Sequence, residues 1–233
     1  MSIKIVAMTL PIGLDGITTP DEFIAYCARV SNPANQMNTK TAGKLIKYCA
    51  SHRHWSIFEM VNVVMSLETT RDIARQILRH RSFSFQEFSQ RYADPTSSLG
   101  FSKREARLQD RKNRQNSIEI EDTELQKKWD YKQETVIEIA QGIYAWAIEN
   151  GIAKEQARVV LPEGLTVSNL FMNGTLRSWI HWINVRYHPA TQKEHRELAR
   201  DAMTLLSRDF PSLQEVFFGI TNENFNKNGE EHV

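Results

Sequence analysis

The stretch TRDIARQILRHRSFSFQEFSQRY, Thr70 to Tyr92, carries five arginines and changes its pattern midway. Ile73, Ala74, Ile77 and Leu78 recur at i, i+1, i+4 and i+5, the spacing of one apolar stripe on a helix. Arg71, Arg75 and Arg79 follow at i, i+4 and i+8 on a flank of the same helix. Like charges so placed cost a few tenths of a kcal/mol per pair, so the row predicts a nearby anion, or carboxylates elsewhere in the fold. Past Arg79 come His80, Arg81, Ser84, Gln86, Glu87, Ser89 and Arg91, and guanidinium forks beside hydroxyls suit a phosphate. The competing reading is a solvated basic face followed by a polar loop.

Working toward the N-terminus, Met60 to Thr69 alternates as a strand, and Thr39 to about His52 reads as a helix with Ala42, Leu45, Ile46 and Cys49 on one face. The start Thr18-Thr19-Pro20-Asp21-Glu22 leads into a helix through about Val30 that buries Phe23, Ile24 and Cys27, and Ile3 to Leu10 reads as a strand. The run His52 to Glu59 invites a metal reading. Against it stand the lack of HExxH or a cysteine partner and the two-residue spacing of His52 and His54, whose rings converge only on an extended segment.

Toward the C-terminus, Asp94-Pro95 breaks regular structure, and Lys103 to Lys128 is strongly charged with few large apolar residues. The segment from about 100 to 124 is expected to be an exposed loop or lid. A basic RNA-binding loop is the alternative, although Glu119, Glu121, Asp122 and Glu124 offset its arginines. Glu124 to Asn150 reads as a long helix whose stripe of Leu125, Trp129, Val136, Ile139, Ile143 and Trp146 serves core or subunit interface. Lys154 to Arg158 begins a helical turn and Leu165 to Met172 reads as a strand. Leu176, Trp179, Ile180 and Ile183 then share one helix face, with Arg177, His181 and Arg186 elsewhere on it. His181, among tryptophans, reads equally as a core histidine. Gln192 to Arg208 is expected to be the final amphipathic helix, with a frayed tail from about Asn222.

The 233 residues suffice for one domain spanning the chain, expected to be α+β and compact, with a small, mainly antiparallel sheet and several long helices. A formal net charge of +1 gives no strong global field toward nucleic acid or membranes, so the local arginines are read as a site for a small anion. No apolar run reaches the length of a membrane span and MSIKIVAMTL lacks the features of a signal peptide, from which cytoplasmic residence is expected. Only Cys27 and Cys49 are present, both expected in the core, which argues against disulfides and a Cys-rich metal site. No GxGxxG occurs, so the pattern gives no Rossmann nucleotide site. These residues alone leave three classes open: a nucleotide-modifying enzyme, a nucleic-acid-binding module, and a helical structural protein whose arginines make only ion pairs.

Arg79-His80-Arg81, seven residues, then Ser89 resembles the RHR-x7-S signature of the flavin-dependent thymidylate synthases, the thymidylate-synthase-complementing or ThyX family. Glu87 and Arg91 also fall where that family places Glu and Arg, and the resemblance extends from about His54 to Glu194. It implies a ThyX-like fold and methylation of dUMP to dTMP, with 5,10-methylenetetrahydrofolate as carbon donor, FAD carrying the hydride and NADPH as reductant. By the same resemblance dUMP would be held by Gln76, Arg79, Glu87, Phe88, Ser89, Gln90, Arg91 and Arg158, and Arg186 would bind and activate the pyrimidine. FAD would be held by His54, Ser56, Arg79, His80, Arg81, Glu87, Thr175, Arg177 and His181. No metal is implied. The family further implies a homotetramer in which subunits share active sites. Two positions depart from its pattern: Gln86, where many members carry Asn, and Ala190, where many carry a flavin-contacting His. His188 lies close to the second but is not given that role.

Overall fold

Two strands that run straight into helices organise the chain, as described by a computed structural model that covers residues 1–226. In chain order, β1 is Ser2–Met8, α1 Pro20–Ala28, α2 Ala42–Ser51, β2 Asn62–Thr70 and α3 Arg71–Ile77. After them come β3 Ser84–Glu87, α4 Pro95–Ser98, β4 Arg107–Gln109, β5 Ser117–Glu119, α5 Thr123–Glu149 and α6 Lys154–Ala157. The last elements are β6 Val167–Thr175, α7 Leu176–Arg186, α8 Lys193–Asp209 and α9 Gln214–Asn226.

The four-stranded sheet has the order β1-β2-β6-β3. Bonds at the strand ends give its sense. Thr9 N–H donates to the Asn62 carbonyl at 2.9 Å, Leu176 N–H to Val61 at 2.8 Å, Arg71 N–H to Thr166 at 3.0 Å and Phe88 N–H to Asn169 at 2.8 Å. Each pairs a start with an end, so the sheet is antiparallel, and with its helices the fold is α+β, as expected. Chain contacts divide the described residues into two compact units, one of residues 1–2, 67–80 and 85–171, the other of 3–66, 81–84 and from 172 onward. All four strands of the sheet have residues in both.

In the first unit α3 follows β2 without a break, and its Ile73, Ala74 and Ile77 are fully buried, the stripe the spacing predicts. The segment after it differs from the polar loop of the competing reading. Ser84–Glu87 is an edge strand, because alternate residues Phe85 and Glu87 turn partly inward while their backbone pairs with β6. The charged segment is also more ordered than a plain loop. Its β4 and β5 form an antiparallel hairpin with Leu108 opposite Ile118, and its start is pinned by Arg104. That guanidinium donates to both Asp72 carboxylate oxygens at 2.6 and 2.8 Å, while the buried Gln133 amide clasps the Arg104 backbone.

Helix α5 overturns only the core half of the expectation that its stripe serves core or subunit interface. Its buried residues are Gln133, Ile137, Ala140, Tyr144 and Ala147, whereas Trp129, Val136, Ile139, Ile143 and Trp146 all stand exposed. The stripe is not core in this chain. On the opposite face Tyr144 and Ala147 pack with Ala157, Val160 and Leu161, and that packing decides which side is covered.

In the second unit, α1 starts with a reciprocal capping box between Thr19 and Glu22. Its buried residues are Pro20, Ile24 and Ala25, so Phe23 and Cys27 are half-buried instead of core, while Cys49 on α2 is buried. The core is built on Trp179 and Trp182 of α7, with Phe58, Ile46 and Phe210, all fully buried, and the Trp179 indole N–H donates to the Val63 carbonyl at 3.0 Å. The core histidine is His195 of α8, whose ring lies 5.6 Å from that of Trp182. Helix α8 is not the last, since Phe217 and Ile220 anchor the additional α9. Residues 222–226, where fraying was expected, lie within that helix, and the rest of the tail lies outside the described residues.

Candidate functional site

In the first unit, the three arginines on the α3 flank find different company. Arg71 Nη1 lies 3.3 Å from Glu87 Oε1, and Arg75 pairs with Glu163. Arg79, exposed just past the helix, has no ion pair among the described residues. Burial pulls the Arg71 guanidinium below its ordinary value, Glu87 opposes that shift, and the nearby cations Arg75 and Arg158 add to it. Arginine stays protonated all the same, so Arg71, Arg75 and Arg158 gather three cations close enough to repel one another, with Glu87 as the carboxylate that opposes them.

Glu87 also accepts from the Ser168 hydroxyl at 2.8 Å, which fixes its carboxylate beside Arg71. Beyond it the chain turns at Ser89, whose carbonyl accepts from the Tyr92 and Ala93 amides at 3.1 Å each. The Ser89 hydroxyl accepts a long 3.4 Å bond from the Arg91 amide, and no imidazole or carboxylate reaches it among the described hydrogen bonds. Arg91 makes an exposed 3.3 Å pair with Glu155. The Gln90 side-chain Nε2 is buried with no hydrogen-bond partner among the described residues. A buried donor left unmatched is costly and uncommon, so it marks a place where an acceptor belongs. Gln76 and Phe88 are half-buried on the same unit, as is Arg158.

In the second unit, β6 delivers Thr175 as the N-cap of α7, its hydroxyl accepting from the Ser178 amide at 3.3 Å. The helix then presents Arg177 and His181 one turn apart on its exposed side. Arg177 Nη1 bonds Glu59 Oε1 at 2.9 Å, tying α7 to the 3-10 turn Trp55–Glu59. That turn carries Ser56 and is entered from His54, both exposed. Arg81 is exposed on the short segment 81–84, which is held to α7 by the Ser178 hydroxyl donating to the Ser82 carbonyl at 3.3 Å. Phe83 fills the room above Gly174, where a Cβ would lie 2.4 Å from its ring. Arg186 closes α7.

A cavity of 1130 Å³ opens in this unit, lined among others by Glu59, Ser82, Arg177, Ser178, His181 and Asn184. His181 is therefore a cavity residue and not a core one. The sequence reading missed the rest of the wall: Lys47, Tyr48 and Arg53 on and after α2, and Glu215, Gly219 and Glu223 on α9. The spacing of Leu213, Phe217 and Ile220 at i, i+4 and i+7 was the signal for α9. His52 turns back onto α2, its Nδ1 2.9 Å from the Tyr48 carbonyl, so its ring and that of His54 stay 6.1 Å apart. Burial raises both thiols, Cys27 and Cys49, above their ordinary values, which disfavours a thiolate nucleophile.

Arginines beside a seryl turn in one unit, and in the other a wide cavity lined by both polar and apolar groups, suit a protein that handles phosphorylated ligands. Residues 14–212 match the thymidylate synthase complementing protein family, and the chain belongs to it. It is 47% identical over 216 residues to a probable flavin-dependent thymidylate synthase of Paramecium bursaria Chlorella virus 1, covering 93% of this chain and 98% of that protein. It is 48% identical over 215 residues to a flavin-dependent thymidylate synthase of Synechocystis, covering 91% and 97%. A crystal structure of the UMP/dUMP methylase PolB from Streptomyces cacaoi, bound with 5-Br dUMP, shares the fold with a TM-score of 0.76 at 23% identity, covering 94% of each chain.

Proposed function

We infer that this chain is a flavin-dependent thymidylate synthase that converts dUMP to dTMP, with 5,10-methylenetetrahydrofolate as carbon donor and NADPH as reductant. The observation that carries the reading is near-full-length similarity to two such enzymes, joined to a cluster of Arg71, Arg75 and Arg158 on the unit that also carries the Ser89 turn. FAD supplies the hydride when bound. The donor set fits a flavin dinucleotide: the cavity offers Arg177, His181 and hydroxyls for polar groups, and Tyr48 and Trp55 for flat rings. Arg177 and His181 would hold it together with His54, Ser56, Thr175 and the segment Arg79-His80-Arg81, and Glu87 would assist.

The nucleotide phosphate falls to Arg79, Ser89, Arg91 and Arg158, since forked guanidinium and hydroxyl donors match the acceptors of a dianion. Gln76 and Phe88 complete the dUMP site. Gln90 supplies the unmatched amide donor. Arg186 faces the pyrimidine. It cannot release a proton at neutral pH, so it acts electrostatically, stabilising negative charge over N3 and the adjacent carbonyl and raising electron density at C5. Ser89 acts as a hydrogen-bond donor, because a hydroxyl without a base is a poor nucleophile. Subunits of a homotetramer share these residues. The two free thiols suit the reducing cytoplasm, to which we assign the enzyme.

The absorbance spectrum of the purified protein tests the reading. A flavin band that NADPH bleaches is expected, together with dTMP formation from dUMP. Failure to bind FAD when titrated at micromolar protein would overturn it.

A further inference from the structure

The cavity wall contains a residue held in an unfavourable backbone conformation. Helix α2 ends in a double closure, with the His54 amide donating to the Cys49 carbonyl at 2.8 Å and the Arg53 amide to Ala50 at 3.1 Å. Helix α5 ends identically, the Ile152 amide donating to Ala147 at 2.9 Å and the Gly151 amide to Ile148 at 3.0 Å. This closure needs a left-handed residue after the C-cap, a place glycine fills because a Cβ there crowds the following carbonyl. On α5 that residue is Gly151, at φ 76°; on α2 it is Arg53, at φ 59°. The other described positive φ angles are all glycines, which isolates Arg53. Local stability favours glycine at this position, so the side chain is what the position keeps.

That side chain lines the cavity. Of the other basic groups in the lining, Lys47 is matched by Glu215 and Arg177 by Glu59. Arg53 has no carboxylate partner among the described residues. Beside it Tyr48, 54% exposed and stacked on His52 at 4.0 Å, offers a ring face. The volume of 1130 Å³ exceeds the roughly 300–1,000 Å³ of most single-ligand pockets, so the cavity has room beyond one ring system.

We propose that Arg53 binds the anionic tail of a flat, ring-bearing coenzyme in this cavity, a phosphate of a nicotinamide dinucleotide or a glutamate carboxylate of a folate. The inference rests on the thymidylate synthase reading for the choice of coenzymes, and the unmatched guanidinium supplies the charge-assisted bond.

The test compares wild type with Arg53→Gly and Arg53→Lys, by calorimetric titration with NADPH, NADH, and mono- and polyglutamyl tetrahydrofolate, and by thermal unfolding. Arg53→Gly is expected to keep or raise the unfolding midpoint, since it relieves the left-handed strain, and to weaken one coenzyme about tenfold, the scale of one charge-assisted bond. Arg53→Lys is expected to regain part of the loss. A loss with NADPH alone points to the 2′-phosphate, a loss with both nicotinamide coenzymes to the diphosphate, and a loss that grows with glutamate number to the folate tail. Changes under twofold for every ligand overturn the proposal, as does a lowered midpoint in Arg53→Gly, which would make Arg53 a structural residue. FAD uptake, read separately by absorbance, judges the functional reading. Wild-type uptake with Arg53-independent coenzyme binding removes only this inference, whereas absent uptake with Arg53-dependent binding removes only that reading.

Discussion

Arg71, Arg75 and Arg79 share one helical flank, and their mutual repulsion is relieved unevenly. Glu87 and Glu163 take the first two, so the row is not simply a solvated face, and Arg79 stays uncommitted. Ser89 has the same character, since its hydroxyl holds only the long bond from Arg91. A phosphate would satisfy both better than the chain does. Ser89→Ala is therefore expected to weaken dUMP binding by about 1–2 kcal/mol, one charge-assisted hydrogen bond, and to leave turnover measurable at saturating dUMP. Equilibrium dialysis for affinity and a dTMP assay for turnover separate the two effects. Intact binding with abolished turnover would make Ser89 a nucleophile instead.

At the scale of elements, the unit β6–α7 positions its chemistry by having no linker. Thr175 ends the strand and caps the helix, which fixes the rotation at which Arg177 and His181 leave it. Gly174 just before it lets Phe83 lie against the strand and stack edge-on at 4.9 Å with Trp179. This packing holds the segment that carries Arg81. Gly174→Ala puts a methyl group 2.4 Å from the Phe83 ring, and overpacking of that kind costs about 1–3 kcal/mol. The expected result is a lower unfolding midpoint together with weaker FAD uptake, whereas Gly164→Ala, with open space around it, should change neither.

For the whole molecule, the unexplained feature is the exposed stripe of α5. Trp129, Val136, Ile139, Ile143 and Trp146 are between 44% and 58% exposed, a run of large apolar side chains that a solitary chain gains nothing by showing to water. A homotetramer would cover it. Ile143→Asp is expected to lower the mass seen by light scattering while leaving the helical circular dichroism unchanged, because the substituted face carries no core contact. Loss of FAD uptake or dTMP formation in that variant would link assembly to the site. Arg79→Ala and Arg186→Ala, each inactive alone, are expected to recover part of their activity when mixed under subunit exchange, since some sites then hold both intact halves. No recovery after verified exchange would sink the shared site without touching the chemistry.

The sequence by itself determined the elements whose pattern is local: the β2–α3 passage, the α7 face with its tryptophans, and the arginine and serine spacing that led to the family. Periodicity and side-chain chemistry are legible residue by residue. It did not determine which side of α5 is covered, because both faces carry side chains able to pack and only the approach of Ala157, Val160 and Leu161 selects one. Nor did it determine that Ser84–Glu87 is an edge strand, since so short a polar run becomes a strand only when β6 supplies the partner backbone. Tertiary structure alone decided that His195 is the core histidine and His181 the cavity one, for burial belongs to the surroundings and not to the residue. It also brought Arg53 and α9 to the cavity wall, linking positions far apart in the chain through packing that no local pattern records.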